Sequence, residues 1–80
     1  MTRSELNTAL AAILTTALET EPDGFPESMA YIALGSDMGK WTMVKTILVD
    51  NRLATFDGYH IQLTERGREL ARKCNAARAA

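Results

Sequence analysis

The chain has 80 residues, 46% hydrophobic and 24% charged, with a formal net charge of −1. This length predicts one domain over residues 1–80 with a small core, and the ordinary composition argues against disorder. The near-neutral charge gives no general prediction of nucleic-acid binding. No apolar run approaches the roughly 18 residues of a membrane span, the N-terminus lacks a secretory signal, and a single cysteine cannot form an internal disulfide. We therefore expect a cytoplasmic protein.

The charge is unevenly distributed along the sequence. Residues 1–37 hold one basic and six acidic residues, a sum of −5, whereas residues 38–80 hold eight basic and four acidic residues, a sum of +4. This polarity is typical of a domain with one nucleic-acid-facing surface, and it is equally typical of two helices that attract each other.

The first predicted element is a helix over residues 3–20. Thr2 and Glu5 have the spacing of a capping box. Apolar residues then recur at steps of three and four, which is typical of a helix with one buried face: Leu6, Ala9, Leu10, Ile13, Leu14, Ala17 and Leu18. The helix is interpreted as part of the core, with pairing to its copy in a dimer as a second role.

Two prolines and a glycine in residues 21–26 predict a connection, because they cannot continue a helix. Pro26 is expected to be the first residue of a second helix, 26–34, where its missing N–H costs nothing. Gly35 ends this helix in a tight turn, and Ser36 or Asp37 caps the next one.

The third predicted helix, 38–51, has an inward face of Trp41, Val44, Ile47 and Leu48. Its outward residues are then Lys40, Thr42, Lys45, Thr46 and Val49. In a DNA-binding helix-turn-helix protein these residues contact base edges and phosphates. Two lysines and two threonines are also a normal solvated face, so both interpretations stay open.

Two strands, 53–56 and 59–63, are predicted on either side of Asp57-Gly58, a strong hairpin signal. The expected fold is therefore an α+β winged helix-turn-helix, in the order α-α-α-β-β-α, with a three-helix core and a two-stranded wing. The wing tip carries Asp57 rather than a cation, which disfavours phosphate there. Tyr59 and His60 remain candidates for donating hydrogen bonds to DNA phosphates.

A last helix, 65–77, is expected to start at the N-cap Thr64. Gly67 in its first turn is locally unfavourable and indicates close packing on a neighbour. The outer face holds the densest basic cluster of the chain: Arg66, Arg68, Arg72 and Lys73. This cluster either keeps the surface soluble, pairs with the acidic first helix or contacts phosphates.

The segment from Arg52 to Ala71, with its run Leu63-Thr64-x-x-Gly67, resembles the wing and following helix of small prokaryotic winged-helix regulators, including the multiple-antibiotic-resistance (MarR) type. With the preceding helix pair, the similarity covers residues 26–74. The resemblance implies a bacterial DNA-binding transcriptional regulator, usually dimeric, with the second helix of the pair in the major groove. By their positions in this helix, the residues implied to contact DNA are Lys40, Thr42, Lys45 and Thr46. The chain lacks the long dimerisation helices of larger members and their basic wing.

Enzymatic activity is not expected, because catalysis needs convergent groups and the chain has one histidine, one cysteine and no phosphate-binding loop. No spacing of metal ligands occurs, so neither a metal nor a cofactor is predicted. The predicted function is binding of double-stranded DNA in transcriptional regulation, and a second copy of the chain, in a homodimer, is a further candidate partner. The alternative is a protein-protein interaction or dimerisation module that does not bind DNA. The predicted contact residues are Lys40, Thr42, Lys45, Thr46, Arg52 and Tyr59.

Overall fold

The computed structural model describes residues 2–79, and within them the chain forms an α+β arrangement of four helices and three short strands. The strands make an antiparallel sheet in the order β1-β3-β2. In chain order the elements are α1 (Arg3–Glu19), β1 (Phe25–Pro26), α2 (Glu27–Ala33), α3 (Met38–Asp50), β2 (Ala54–Asp57), β3 (His60–Leu63) and α4 (Glu65–Ala79).

Short polar side chains begin three of the helices. The Oγ1 atom of Thr2 accepts a hydrogen bond from the Glu5 N–H at 3.1 Å, and Oδ1 of Asp37 accepts from the Lys40 N–H at 3.1 Å. Oγ1 of Thr64 accepts from the Gly67 N–H, also at 3.1 Å. These contacts satisfy N–H groups that have no partner within the helix. They confirm the caps expected at Thr2 and Thr64, and they assign the cap of α3 to Asp37.

The first strand is absent from the sequence-based prediction, which places Pro26 inside a helix. In the structure Phe25 pairs with Ile61 and Pro26 pairs with His60, and α2 begins one residue later, at Glu27. Proline has no N–H to donate, but it fits an edge strand, and β1 is at the edge of the sheet. The element order is therefore α-β-α-α-β-β-α instead of α-α-α-β-β-α, and the hairpin is part of a three-stranded sheet.

The hairpin is shifted by one residue relative to the prediction, so its turn is Gly58-Tyr59 instead of Asp57-Gly58, and only β3 is shorter than expected. The prediction starts the two strands at Leu53 and Tyr59, whereas β2 and β3 start one residue later at Ala54 and His60. Leu53 is buried at the junction of α3 and β2. Tyr59 lies in the turn, and its carbonyl oxygen accepts a hydrogen bond of 2.7 Å from the Glu27 N–H. This bond attaches the tip of the hairpin to the start of α2.

The core lies between the helices and the sheet. α1 packs on α4 and on β3, and α3 packs on β2. The largest fully buried side chains are Leu14 of α1, Val44 and Leu48 of α3, and Ile61 of β3. Since Val44 and Leu48 are buried, the opposite side of α3 is turned to solvent.

The start of α4 is attached closely to the end of α3. Oγ1 of Thr64 donates a hydrogen bond of 2.6 Å to the Arg52 carbonyl oxygen, and the Thr64 N–H donates to the Leu53 carbonyl at 3.1 Å. Gly67 packs so closely on the Leu53 backbone that a Cβ atom there would collide with the Leu53 carbonyl oxygen. The Leu63-Thr64-x-x-Gly67 run thus joins three elements: β3, α4 and the α3–β2 junction.

Candidate functional site

The outward side of α3 is neutral at its centre. With Trp41, Val44 and Leu48 buried, the side opposite them carries Thr42, Met43 and Thr46, all exposed. The hydroxyl of Thr46 donates a hydrogen bond of 2.8 Å to the Thr42 carbonyl oxygen within the same helix. Because an α-helix turns by about 100° per residue, these three side chains form one neutral strip, which ends at the exposed carboxylate of Asp50, four residues after Thr46.

The two lysines of α3 lie on opposite sides of this strip. They are five residues apart, which places them roughly 140° apart around the helix axis. Lys40 is exposed and lines a groove of about 550 Å³ between α1 and the α2–α3 turn, together with Thr8 and Leu34. Lys45 points the other way, towards the hairpin. The predicted contact residues therefore occupy the centre and both flanks of the helix.

The side chain of Lys45 makes contacts within the protein that the sequence does not indicate. Its Nζ atom lies 2.8 Å from Oε1 of Glu27 and 4.7 Å from the centroid of the Phe56 ring. The same Oε1 atom accepts a hydrogen bond of 3.2 Å from Nε1 of Trp41, and the Trp41 and Phe56 rings meet edge to face at 6.1 Å. We call Glu27, Trp41, Lys45 and Phe56 the Glu27 cluster. The prediction of an outward-facing Lys45 is wrong in this respect, because α2 and β2 supply an anion and a ring that draw the side chain inward.

Two shallow grooves separate α3 from the hairpin, and together we call them the α3–hairpin cleft. One has a volume of about 670 Å³ and is lined by Tyr31, Met38 and Tyr59 as well as by residues of the Glu27 cluster. The other has a volume of about 490 Å³ and includes Val49, Arg52 and Phe56. Lys45 lines the first groove, and its Nζ atom lies over the ring of Phe56, which lines the second.

Arg52 and Tyr59 each border one part of this cleft. Arg52 is exposed, and its backbone is in the left-handed region with φ of 55°. The Thr64 hydroxyl donates a hydrogen bond to the carbonyl oxygen of Arg52. This bond fixes the backbone from which the guanidinium group extends. Tyr59 is 82% exposed at the hairpin turn, which leaves its hydroxyl accessible to a ligand. Lys45 and Tyr59 thus line the first groove of the cleft, and Arg52 lines the second.

The charges around α3 and the hairpin nearly balance. The cations are Lys40, Lys45 and Arg52, and the carboxylates are Glu27, Asp37, Asp50 and Asp57. Glu27 is engaged with Lys45, and Asp37 caps α3. Both carboxylates therefore have structural roles, and binding of a polyanion here depends on a few individual cations rather than on a broad basic patch.

Sequence reasoning missed Glu27 and Phe56, which determine the position of Lys45. Glu27 lies 18 residues before Lys45, and no local pattern relates residues at this separation. The exposure of Met38 and Met43 could have been found, because both fall outside the inward stripe of α3. The expectation that Met29 and Ile32 face inward from the second helix is wrong, since both are exposed and Ala30 is the buried residue of α2.

The basic cluster of α4 is partly engaged within the protein. Nε of Arg68 lies 2.8 Å from Oε2 of Glu21, and its Nη1 lies 3.5 Å from Oε2 of Glu65. The hydrogen bond and the charge of Glu21 raise the pKa of Arg68 above its ordinary value. Arg68 therefore pairs with Glu21 of the connection that follows α1, and not with α1 itself as considered from the sequence, while Arg66, Arg72 and Lys73 are exposed.

Among the described residues, no group of three or more potential metal ligands comes together, and no helix is long and apolar enough to cross a membrane. His60 is exposed on β3, and Cys74 is a half-buried free thiol on α4. No protein-family model matches the chain, and neither a curated protein nor a solved structure shows significant similarity to it.

Proposed function

We propose that this chain is a winged helix-turn-helix domain that binds double-stranded DNA, with α3 in the major groove, and acts in transcriptional regulation. The order of the elements supports the fold: α2 and α3 are joined by a short turn, and a hairpin follows α3 directly. The observation that carries the function is the arrangement of side chains around α3, where a neutral strip has cations on both flanks.

This arrangement matches the geometry of a helix in the major groove. The groove is about 12 Å wide, close to the diameter of a helix with its side chains, so phosphate strands pass on both sides of the helix. Lys40 faces one strand, and Lys45, Arg52 and the Tyr59 hydroxyl face the other. Thr42, Met43 and Thr46 face the base edges, where threonine hydroxyls form hydrogen bonds and methyl groups contact thymine.

Such an interface gives weak and salt-sensitive binding. If three cations each replace a counterion on the DNA, the slope of log K against log salt is about −2.7, and affinity falls roughly 40-fold between 50 and 200 mM salt. Fluorescence anisotropy with a labelled duplex of mixed sequence measures this slope. An affinity independent of salt would contradict the proposal.

Arg52 allows DNA binding to be tested without loss of stability. Arg52→Gly removes one cation, which is expected to weaken binding about eightfold at 0.1 M salt and to reduce the slope by about 1. Glycine adopts the left-handed conformation of this residue without strain, so the free energy of unfolding should stay the same or rise by up to about 1 kcal/mol.

The matched control is Arg72→Gln, which removes an exposed cation of α4 outside the α3–hairpin cleft. We expect this variant to bind DNA like the wild type in the anisotropy assay. Equal losses of affinity in the Arg72 and Arg52 variants would show that binding follows net charge and not the cleft.

A second candidate function is docking of another protein, and the methionines favour it. All three internal methionines are exposed, Met29 to 53%, Met38 to 61% and Met43 to 45%. Exposed methionines are common on surfaces that bind apolar helices. A second copy of the chain is one such partner.

The substitution Met43→Lys separates the two functions. It adds a cation within the neutral strip, so DNA affinity should rise, whereas docking of an apolar partner or self-association should weaken. Anisotropy and sedimentation velocity of the same variant give the two results. Loss of DNA affinity in this variant would favour the docking function.

A further inference from the structure

Glu27 connects α2 to α3 through a single carboxylate oxygen. Its Oε1 atom accepts hydrogen bonds from Nζ of Lys45 at 2.8 Å and from Nε1 of Trp41 at 3.2 Å. Trp41 is buried, so its indole N–H needs an acceptor inside the protein. Glu27 therefore has a structural reason to stay in place, and Lys45 is the mobile member of the pair.

Lys45 has room to leave this contact. Its side chain is 41% exposed, against 20% for Glu27, and it lines the first groove of the α3–hairpin cleft. An ion pair with this exposure contributes little to stability, because solvent screens the two charges. A rotation of the flexible lysine stem exchanges the carboxylate for another anion in the cleft.

We infer that Glu27 sets the affinity for DNA by competing with a backbone phosphate for the ammonium group of Lys45. In the free protein the carboxylate holds Lys45, and in the complex a phosphate oxygen replaces it. This inference rests on the proposed DNA binding. Glu27 is then a positioning residue, because it does not touch DNA itself and acts through Lys45.

The competition predicts that removing the charge of Glu27 strengthens binding. Glu27→Gln keeps a side-chain oxygen for the Trp41 N–H, so the fold is retained, but it no longer holds Lys45 by charge. DNA affinity is expected to rise about two- to fivefold. This is the change in binding constant that corresponds to the free energy of a partly exposed ion pair.

A double-mutant cycle separates this competition from a general loss of negative charge. Lys45→Met keeps an apolar stem on Phe56 and removes the ammonium group. In that background Glu27→Gln should change the affinity less than 1.5-fold, because there is no lysine left to release. The control Asp57→Asn removes an exposed hairpin carboxylate that lies outside the Glu27 cluster, and its effect should be the same with and without Lys45.

The experiment uses the full chain and a labelled duplex of mixed sequence at 50 mM salt, with circular dichroism as the check on folding. Trp41 is the only tryptophan, so its indole N–H gives a single NMR resonance that should shift when DNA draws Lys45 away. Equal gains from Glu27→Gln in both backgrounds, or no gain in either, would overturn the role of Glu27. Failure of every variant and of the wild type to bind would overturn the DNA-binding function itself.

Discussion

Replacing Gly67 by alanine is expected to lower the free energy of unfolding by about 3 kcal/mol, the largest stability effect that this structure predicts for a single methyl group. A Cβ atom at this position meets the carbonyl oxygen of Leu53, which is backbone and cannot rotate away. Accommodating it requires α4 to move from the α3–β2 junction, with loss of the hydrogen bonds of Thr64 to Arg52 and Leu53. Urea denaturation measures the loss.

Gly39→Ala is the matched control for this prediction. Gly39 is also in the first turn of a helix, but a Cβ atom there lies 3.2 Å from its nearest neighbour, the capping Oδ1 atom of Asp37, which has to move by only a few tenths of an ångström. Alanine stabilises a helix by up to about 1 kcal/mol relative to glycine, so this variant should be as stable as the wild type or more stable. If Gly67→Ala were also as stable as the wild type, the close contact between α4 and Leu53 would be wrong.

Lys45→Glu is expected to abolish detectable DNA binding and also to destabilise the protein. The substitution places a second carboxylate beside Glu27 and removes the cation from the Phe56 ring. The expected loss of stability is about 1–2 kcal/mol, because the pair is only partly buried. The sequence alone predicts loss of binding with no change in thermal stability, and the Glu27 cluster corrects the second part of that prediction.

Lys45→Met distinguishes the two effects. It should keep most of the stability, because its apolar stem still packs on Phe56, while the salt slope of DNA binding falls by about 1. Urea denaturation and anisotropy on the same preparations give both quantities. Wild-type DNA affinity in Lys45→Glu would remove α3 from the site.

The local features of this fold were predictable from the sequence. The caps at Thr2 and Thr64, the apolar stripe of α1 and a hairpin around Gly58 each depend on residues within a few positions of one another, although the turn is Gly58-Tyr59, one residue later than predicted. The strand β1 was not predictable in this way. It has two residues, one of them proline, and it exists because Phe25 pairs with Ile61, 36 residues later.

The candidate site likewise has features that local sequence patterns predict and features that depend on distant residues. Helical periodicity identified α3 and its outward threonines, which the structure places on the solvent side. The contact of Lys45 with Glu27 spans 18 residues and joins two helices, so no spacing rule indicates it. The left-handed conformation of Arg52 likewise depends on tertiary structure, since the Thr64 hydroxyl holds its carbonyl from 12 residues away.

An amide NMR titration of the labelled chain with a mixed-sequence DNA duplex, at 50 and 200 mM salt, tests the central claim most directly. The proposal predicts shifts at residues 40–49, at Arg52 and Tyr59 and at the Trp41 indole N–H, all of which diminish at the higher salt. The absence of shifts at 50 mM salt, or shifts confined to α4, would contradict DNA binding through α3 and leave protein docking as the better account.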